Sequence, residues 1–157
     1  MLSLLIVLAT FVFMEGVAWF SHKYIMHGLL WFLHKDHHTR ETKGVLEKND
    51  YFFLLFAAPG IICIVLGLED FSYLYYIGLG ITLYGFAYFF IHDLFIHQRI
   101  KVLRKTKSKY FLAIRRAHKI HHKNRGRLNG ECFGMLIVPP KFYLAARKSF
   151  SKKNRKK

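Results

Sequence analysis

The chain has 157 residues, of which 53% are apolar and 17% aromatic, and carries a formal net charge of +16. A soluble domain of this length cannot surround three charge-poor helices with protein, so an ordinary soluble globule is excluded. Two cysteines make no disulfide framework, and the positive charge is distributed as membrane topology would distribute it, which leaves nucleic acid without a role.

The first element, Leu2 to Phe20, reaches spanning length with Glu15 as its one charge. It lacks a basic n-region and a small-x-small cleavage site, so it reads as a retained anchor. A cytoplasmic loop follows, and then two uncharged spans, Tyr51 to Leu68 and Phe71 to Ile91, joined by Glu69 and Asp70. Pro59-Gly60 is placed to bend the second span, while Gly78, Gly80 and Gly85 would let another helix approach the third. Cys63 is a small core residue and Cys132 a candidate pocket residue. From Asp93 the chain is polar and basic, with Lys101 to Lys109 a solvated connector. The apolar run Cys132 to Val138 stops at Pro139-Pro140 after seven residues, too short to cross; it is either re-entrant or a cover for a site. The expected architecture is an all-α integral membrane protein with three transmembrane helices and a cytoplasmic, histidine-rich helical cap. Residues 1–150 form one domain and 151–157 a basic disordered tail.

No Lys or Arg precedes Lys23 or lies between Asn49 and Gln98; five fall between Lys23 and Lys48 and the other twenty follow His97. The positive-inside rule places both basic segments, and the C-terminus, in the cytoplasm, and the protein in the cell inner membrane.

All ten histidines fall in four clusters: His22 and His27, His34 with His37 and His38, His92 and His97, and His118 with His121 and His122. On an α-helix, positions i, i+3 and i+4 share a sector of about 60°, so each triad can aim at one point. Positions i and i+5 diverge by about 140°, so the two pairs must flank a larger centre or sit where the helix unwinds. Imidazole accepts zinc, copper, nickel or iron. Ten imidazoles over two ions supply about five each, leaving roughly one open octahedral position, which favours redox-active iron over a structural four-ligand zinc. Asp36 and Asp93, inside the motifs, are candidates to receive a ligand's second ring N–H, and Glu15 lies just before His22 where a carboxylate needs a purpose. A divalent metal transporter or a bis-histidine haem protein would place its histidines within the spans, and these three spans hold none.

The wording around the clusters goes further. Phe13-Met14-Glu15, the run Ala18 to His27, Leu33 to His38, Phe95 to Arg99, Arg115 to His122 and Gly130 to Leu136 together resemble the fatty acid hydroxylase superfamily of membrane di-iron oxygenases. Within it, they resemble the bacterial β-carotene 3-hydroxylases. The resemblance implies two irons per chain held by all ten histidines, with no catalytic residue beyond the ligands. It implies O2 as co-substrate, hydroxylation of carbon 3 of the β-ionone rings of β-carotene to β-cryptoxanthin and zeaxanthin, and electrons from a ferredoxin-type donor in contact with a protein embedded in membrane lipid. The chain carries no flavin or nicotinamide fingerprint of its own. The same centre would serve another lipid hydroxylase, a desaturase or a carotenoid ketolase, and the superfamily leaves room for a fourth span.

Overall fold

The computed structural model describes residues 1–39, 46–100, 106–128 and 130–146, which contain helices and no strand. The expected basic tail and residues 101–105 of the connector lie outside the described residues. The elements in order are α1 (Leu2–Phe20), a π-helical segment (Ser21–Leu29), α2 (Trp31–Thr39), a 3₁₀ turn (Lys48–Asp50), α3 (Tyr51–Gly67), α4 (Tyr73–Phe89), a second π-helical segment (Phe90–Ile96) and α5 (Lys109–Lys123). Residues 140–146 are also helical.

Three helical runs are long and apolar enough to cross a membrane: Leu2–Leu29, Lys48–Gly67 and Tyr73–Ile96. They coincide with the three expected spans, and the described residues contain no fourth. Their outward faces are apolar, with Leu4, Leu5, Leu8, Val12, Val65 and Leu66 exposed, as a lipid solvent requires. The first and third runs do not stop short of the histidines, as expected, but carry His22, His27 and His92 on unbroken helix. The turn before the third span is also longer than two residues. Phe71 sits there at φ 50, and α4 begins at Tyr73 once Asp70 Oδ1 has accepted the Ser72 N–H at 3.0 Å.

Helix α4 is the middle of the bundle, packed on α3 on one side and α1 on the other. Small residues set these distances. A Cβ on Gly78 would stand 2.7 Å from the Gly60 carbonyl oxygen, and one on Gly80 would stand 2.6 Å from Thr10 Cβ. Gly85 differs: a Cβ there would meet nothing within 4 Å, so this glycine faces open space and not a neighbouring helix.

The histidine-rich cap closes over the ends of these helices. Helix α5 is amphipathic: Ala113, Ile114 and Ala117 pack with Ile91, Met135, Val138 and Phe142, His118, His121 and His122 carry the same inward half on toward its C-terminal end, and Arg116 and Lys119 face out. The irregular chain around Cys132 to Val138 covers the bundle end and does not re-enter it as helix. Glu15 pins it there. Oε1 accepts the backbone N–H groups of Met135, Leu136 and Ile137 at 2.9, 2.9 and 3.0 Å, and Oε2 accepts the Tyr84 hydroxyl at 2.7 Å. A side chain at Gly134 would strike this carboxylate, at 2.8 Å from its Cβ. Replacing Glu15 by Ala orphans two buried donors, the Tyr84 hydroxyl and the Met135 N–H, and the part-buried N–H groups of Leu136 and Ile137. At about 1–3 kcal/mol for each donor left unpaired, the expected loss is about 3 kcal/mol or more. Thermal unfolding in detergent measures it, and an unchanged melting temperature would show that the cap is held by something else.

Candidate metal centre

Each histidine pair reaches the site through local helix geometry. The His97 N–H bonds the His92 carbonyl at 2.9 Å, and the Leu30 N–H bonds Ile25 at 2.8 Å, both i→i+5. A π-helix winds roughly 80° per residue, so residues five apart fall about 40° from each other. The divergence expected of an α-helix is thereby removed. The His22 and His27 rings lie 5.1 Å apart and the His92 and His97 rings 4.6 Å apart, centroid to centroid. Gly28, at φ −123 and ψ −108, then breaks the first helix and lets α2 turn back over the same point.

Two groups result, each able to hold a metal ion. One is His22, His27, His34, His38 and His121; the other is His37, His97, His118 and His122; within each, one ring nitrogen per residue lies within 4.8 Å of every other. His92 joins the second group's edge, its Nε2 being 3.1 Å from that of His37. The groups adjoin, with the His38 and His122 rings stacked at 4.3 Å.

Ring tautomers decide what lies between these nitrogens. Backbone carbonyls only accept, so His22 Nδ1, at 2.9 Å from Phe133 O, carries a proton, as do His27 Nδ1 on Arg125 O at 2.9 Å and His121 Nδ1 on Glu131 O at 3.1 Å. His34 Nδ1 donates to Asn49 Oδ1 at 2.6 Å, His37 Nδ1 to Glu47 Oε2 at 2.8 Å and His92 Nδ1 to Asp93 Oδ2 at 3.2 Å. With the proton on Nδ1, each Nε2 is a bare lone pair. Three facing pairs, His22 with His34, His27 with His121 and His37 with His92, then point lone pairs at each other across 3.1 Å. Such pairs repel unless a cation sits between them. Metal–imidazole bonds of about 2.1 Å put adjacent octahedral ligand atoms about 3.0 Å apart. The 2.8 Å separations of His118 Nε2 from His97 and His122 Nε2 fall in the same range.

A nitrogen-only, buried, paired metal-binding arrangement on membrane helices is what a known family would supply, and residues 7–138 match the fatty acid hydroxylase family. The chain belongs to the fatty acid hydroxylase family. Among relatives of known activity, a β-carotene hydroxylase of Pantoea ananas is 41% identical over 136 residues, 87% of this chain and 77% of the relative. One of Pseudescherichia vulneris is 40% identical over 134 residues, 85% and 76% of the two chains, and one of Paracoccus sp. (strain PC1) is 40% identical over 141 residues, 89% and 86%. No solved structure matches the chain.

In this member of the family, the groups around the histidines are as informative as the histidines. Asp93 receives His92, as described. Asp36, buried beside His37, accepts the Lys48 N–H at 3.2 Å. Glu15, expected near the ligands, spends both oxygens on the cap and Tyr84. The sequence reading missed Glu47, Asn49 and the carbonyls of Arg125, Glu131 and Phe133. Cys132 explains two of these: at φ 62 it turns the chain so that the carbonyls on either side of it, Glu131 and Phe133, both face the five-histidine group.

Burial, reinforced by neighbouring imidazoles, holds His37 and His118 well below the ordinary histidine value; it also dominates the lowering of His34, and pushes His121 down to about 3. Because these values are lowered on folding, the unfolded chain takes up protons first as the pH falls below about 6.5. Stability is therefore complete above that pH and is lost between about 6.5 and the His121 value of about 3. The metal-stripped protein should melt at a lower temperature near pH 5 than near pH 7. Equal melting temperatures would mean that the imidazoles are solvated.

A cavity of about 310 Å³ opens between α1, α3 and α4. Its walls are mostly apolar, including Met14, Phe52, Phe56, Phe86 and Phe89, and at the cap end they include His22 and His92 with Asn49, Asp50 and Asp93. Phe86 and Phe89 are the third span's contribution of phenylalanine to these walls. Gly85 lies in the same wall.

Proposed function

We propose that this chain hydroxylates carbon 3 of the β-ionone rings of β-carotene, giving β-cryptoxanthin and then zeaxanthin, with two irons held by the ten histidines. The observation that carries this reading is the apolar cavity among the spanning helices, which ends on His22 and His92, one histidine from each side of the double site. A volume near 300 Å³ is at the small end of ligand pockets and suits one ring and its adjoining chain better than a whole carotenoid. The 40–41% identity to β-carotene hydroxylases supports the same substrate.

The reaction places one atom of dioxygen in a ring C–H bond and releases the other as water, taking two electrons and two protons from outside. Bound iron would supply the reduction of dioxygen. The residues supply the rest. Phe52, Phe56, Phe86 and Phe89 exclude water and hold the ring against the histidine-lined end of the cavity. Phe133, Arg125, Asn49, Glu131, Glu47 and Asp93 keep the proton on Nδ1 of six histidines, so that each Nε2 stays available. The cations after His97 suit a ferredoxin-type electron donor with an acidic face, and the positive-inside pattern supports an inner-membrane protein with a cytoplasmic C-terminus.

Expression in a bacterium that accumulates β-carotene tests this directly. Zeaxanthin should appear after β-cryptoxanthin; unchanged β-carotene with iron, oxygen and donor supplied, or a ketone product, would move the substrate or the reaction elsewhere in the family.

A further inference from the structure

The two histidine groups differ in what stands behind them. In the five-histidine group, His22, His27, His34 and His121 give their Nδ1–H to neutral oxygens: three backbone carbonyls and the Asn49 amide. His38 Nδ1 is buried without a hydrogen-bond partner. On the other side, His37 and His92 give theirs to carboxyl groups, Glu47 and Asp93.

Those two carboxyl groups are not independent. Arg99 Nε lies 2.9 Å from Asp93 Oδ1, leaving Oδ2 for His92, and Nη2 lies 3.5 Å from the Glu47 oxygen that receives His37. The guanidinium is held in turn by Asp50, at 2.6 and 3.0 Å. Gln98, at φ 54, makes the turn that folds Arg99 back from the end of the π-helix onto this cluster.

An imidazole whose N–H is drawn toward a carboxylate is a more basic donor than one bonded to a carbonyl. We infer that the two metal positions are electronically inequivalent, the one bounded by His37 and His92 being carboxylate-backed, and that Arg99 is the positioning residue that maintains this by fixing Glu47 and Asp93 together. This rests on the two-metal reading above.

Cobalt(II), titrated into the metal-stripped full chain and followed by its visible absorption, tests it without turnover. Wild type should bind two equivalents with distinct spectra. Glu47→Gln should weaken one of them by about 10–100-fold and leave the other unchanged, and Asn49→Leu should weaken the other one. Arg99→Gln should weaken the same equivalent as Glu47→Gln. Arg99→Lys, which keeps the charge and loses the fork, should fall between Arg99→Gln and wild type. Glu47→Gln and Asn49→Leu weakening the same equivalent would overturn the inference, as would Arg99→Gln weakening both equally, the signature of general loosening. Two equivalents with one shared spectrum would overturn it while sparing the two-metal reading. Fewer than two equivalents in wild type would overturn both.

Discussion

Replacing His34 by alanine is expected to abolish hydroxylation. His34 is 1% exposed, and its Nε2 lies 3.1 Å from Nε2 of both His22 and His38, so it is the shared corner of the five-histidine group. Removing an outer hydrogen-bond partner of a metal ligand costs about 10–100-fold in metal affinity or activity, and removing the ligand itself should exceed that. The packing of α1, α3 and α4 does not involve this residue, so the variant should insert in normal amount and lose about half its metal. Pigment analysis in a β-carotene-producing host, with metal content measured on the same protein, reads both. Full conversion by His34→Ala would remove the five-histidine group from the chemistry. His37→Ala and His121→Ala should behave alike, and so should variants of His22, His27, His92 and His97, because the π-helical segments bring those pairs to the same two points as the triads.

The second large effect is expected from a residue that touches nothing. Gly85 lines the cavity and has no other side chain or neighbouring helix within 4 Å of where its Cβ would be, so a leucine there starts out into the cavity. In a helix interior the change from glycine is itself favourable, by about 1 kcal/mol. Gly85→Leu should therefore fold and hold metal as wild type does, while losing about tenfold or more of its turnover of β-carotene, the scale on which pocket shape discriminates substrates. Product yield set against metal content distinguishes a blocked channel from a damaged centre. Wild-type turnover in Gly85→Leu would mean that the substrate enters elsewhere. Gly78→Leu is the contrast: its Cβ would stand 2.7 Å from Gly60 O, and that variant should fail to assemble α3 on α4.

The sequence made some of this legible and hid the rest for identifiable reasons. Spans could be read because a lipid solvent demands long charge-free segments, and the inward face of the triads on α2 and α5 because i, i+3 and i+4 share a sector of any α-helix. Neither triad meets at one point, however: His37 parts from His34 and His38, and His121 from His118 and His122, so that each helix serves both groups. The convergence of His22 with His27 was hidden because a π-helix announces itself in hydrogen bonds and not in residue type. Three of the oxygens that fix the ring tautomers are backbone carbonyls, which no side-chain motif can signal. Arg99 looked like one cation among twenty-five Lys and Arg residues; only the left-handed turn at Gln98 sets it apart, and that turn carries no glycine to mark it.

The π-helical segments also govern which length changes the centre can survive. A π turn is an α-helix with one residue to spare. Deleting one of the four residues between His92 and His97 would let that stretch relax to an α-helix, and residues four apart there diverge by only about 40°. Both rings would still face one way. Inserting a residue has no such remedy, since positions six apart on an α-helix diverge by about 120°. The spacing is thus open to shortening and closed to lengthening, and related chains with three intervening residues can keep the same pair of metal positions on a plain α-helix.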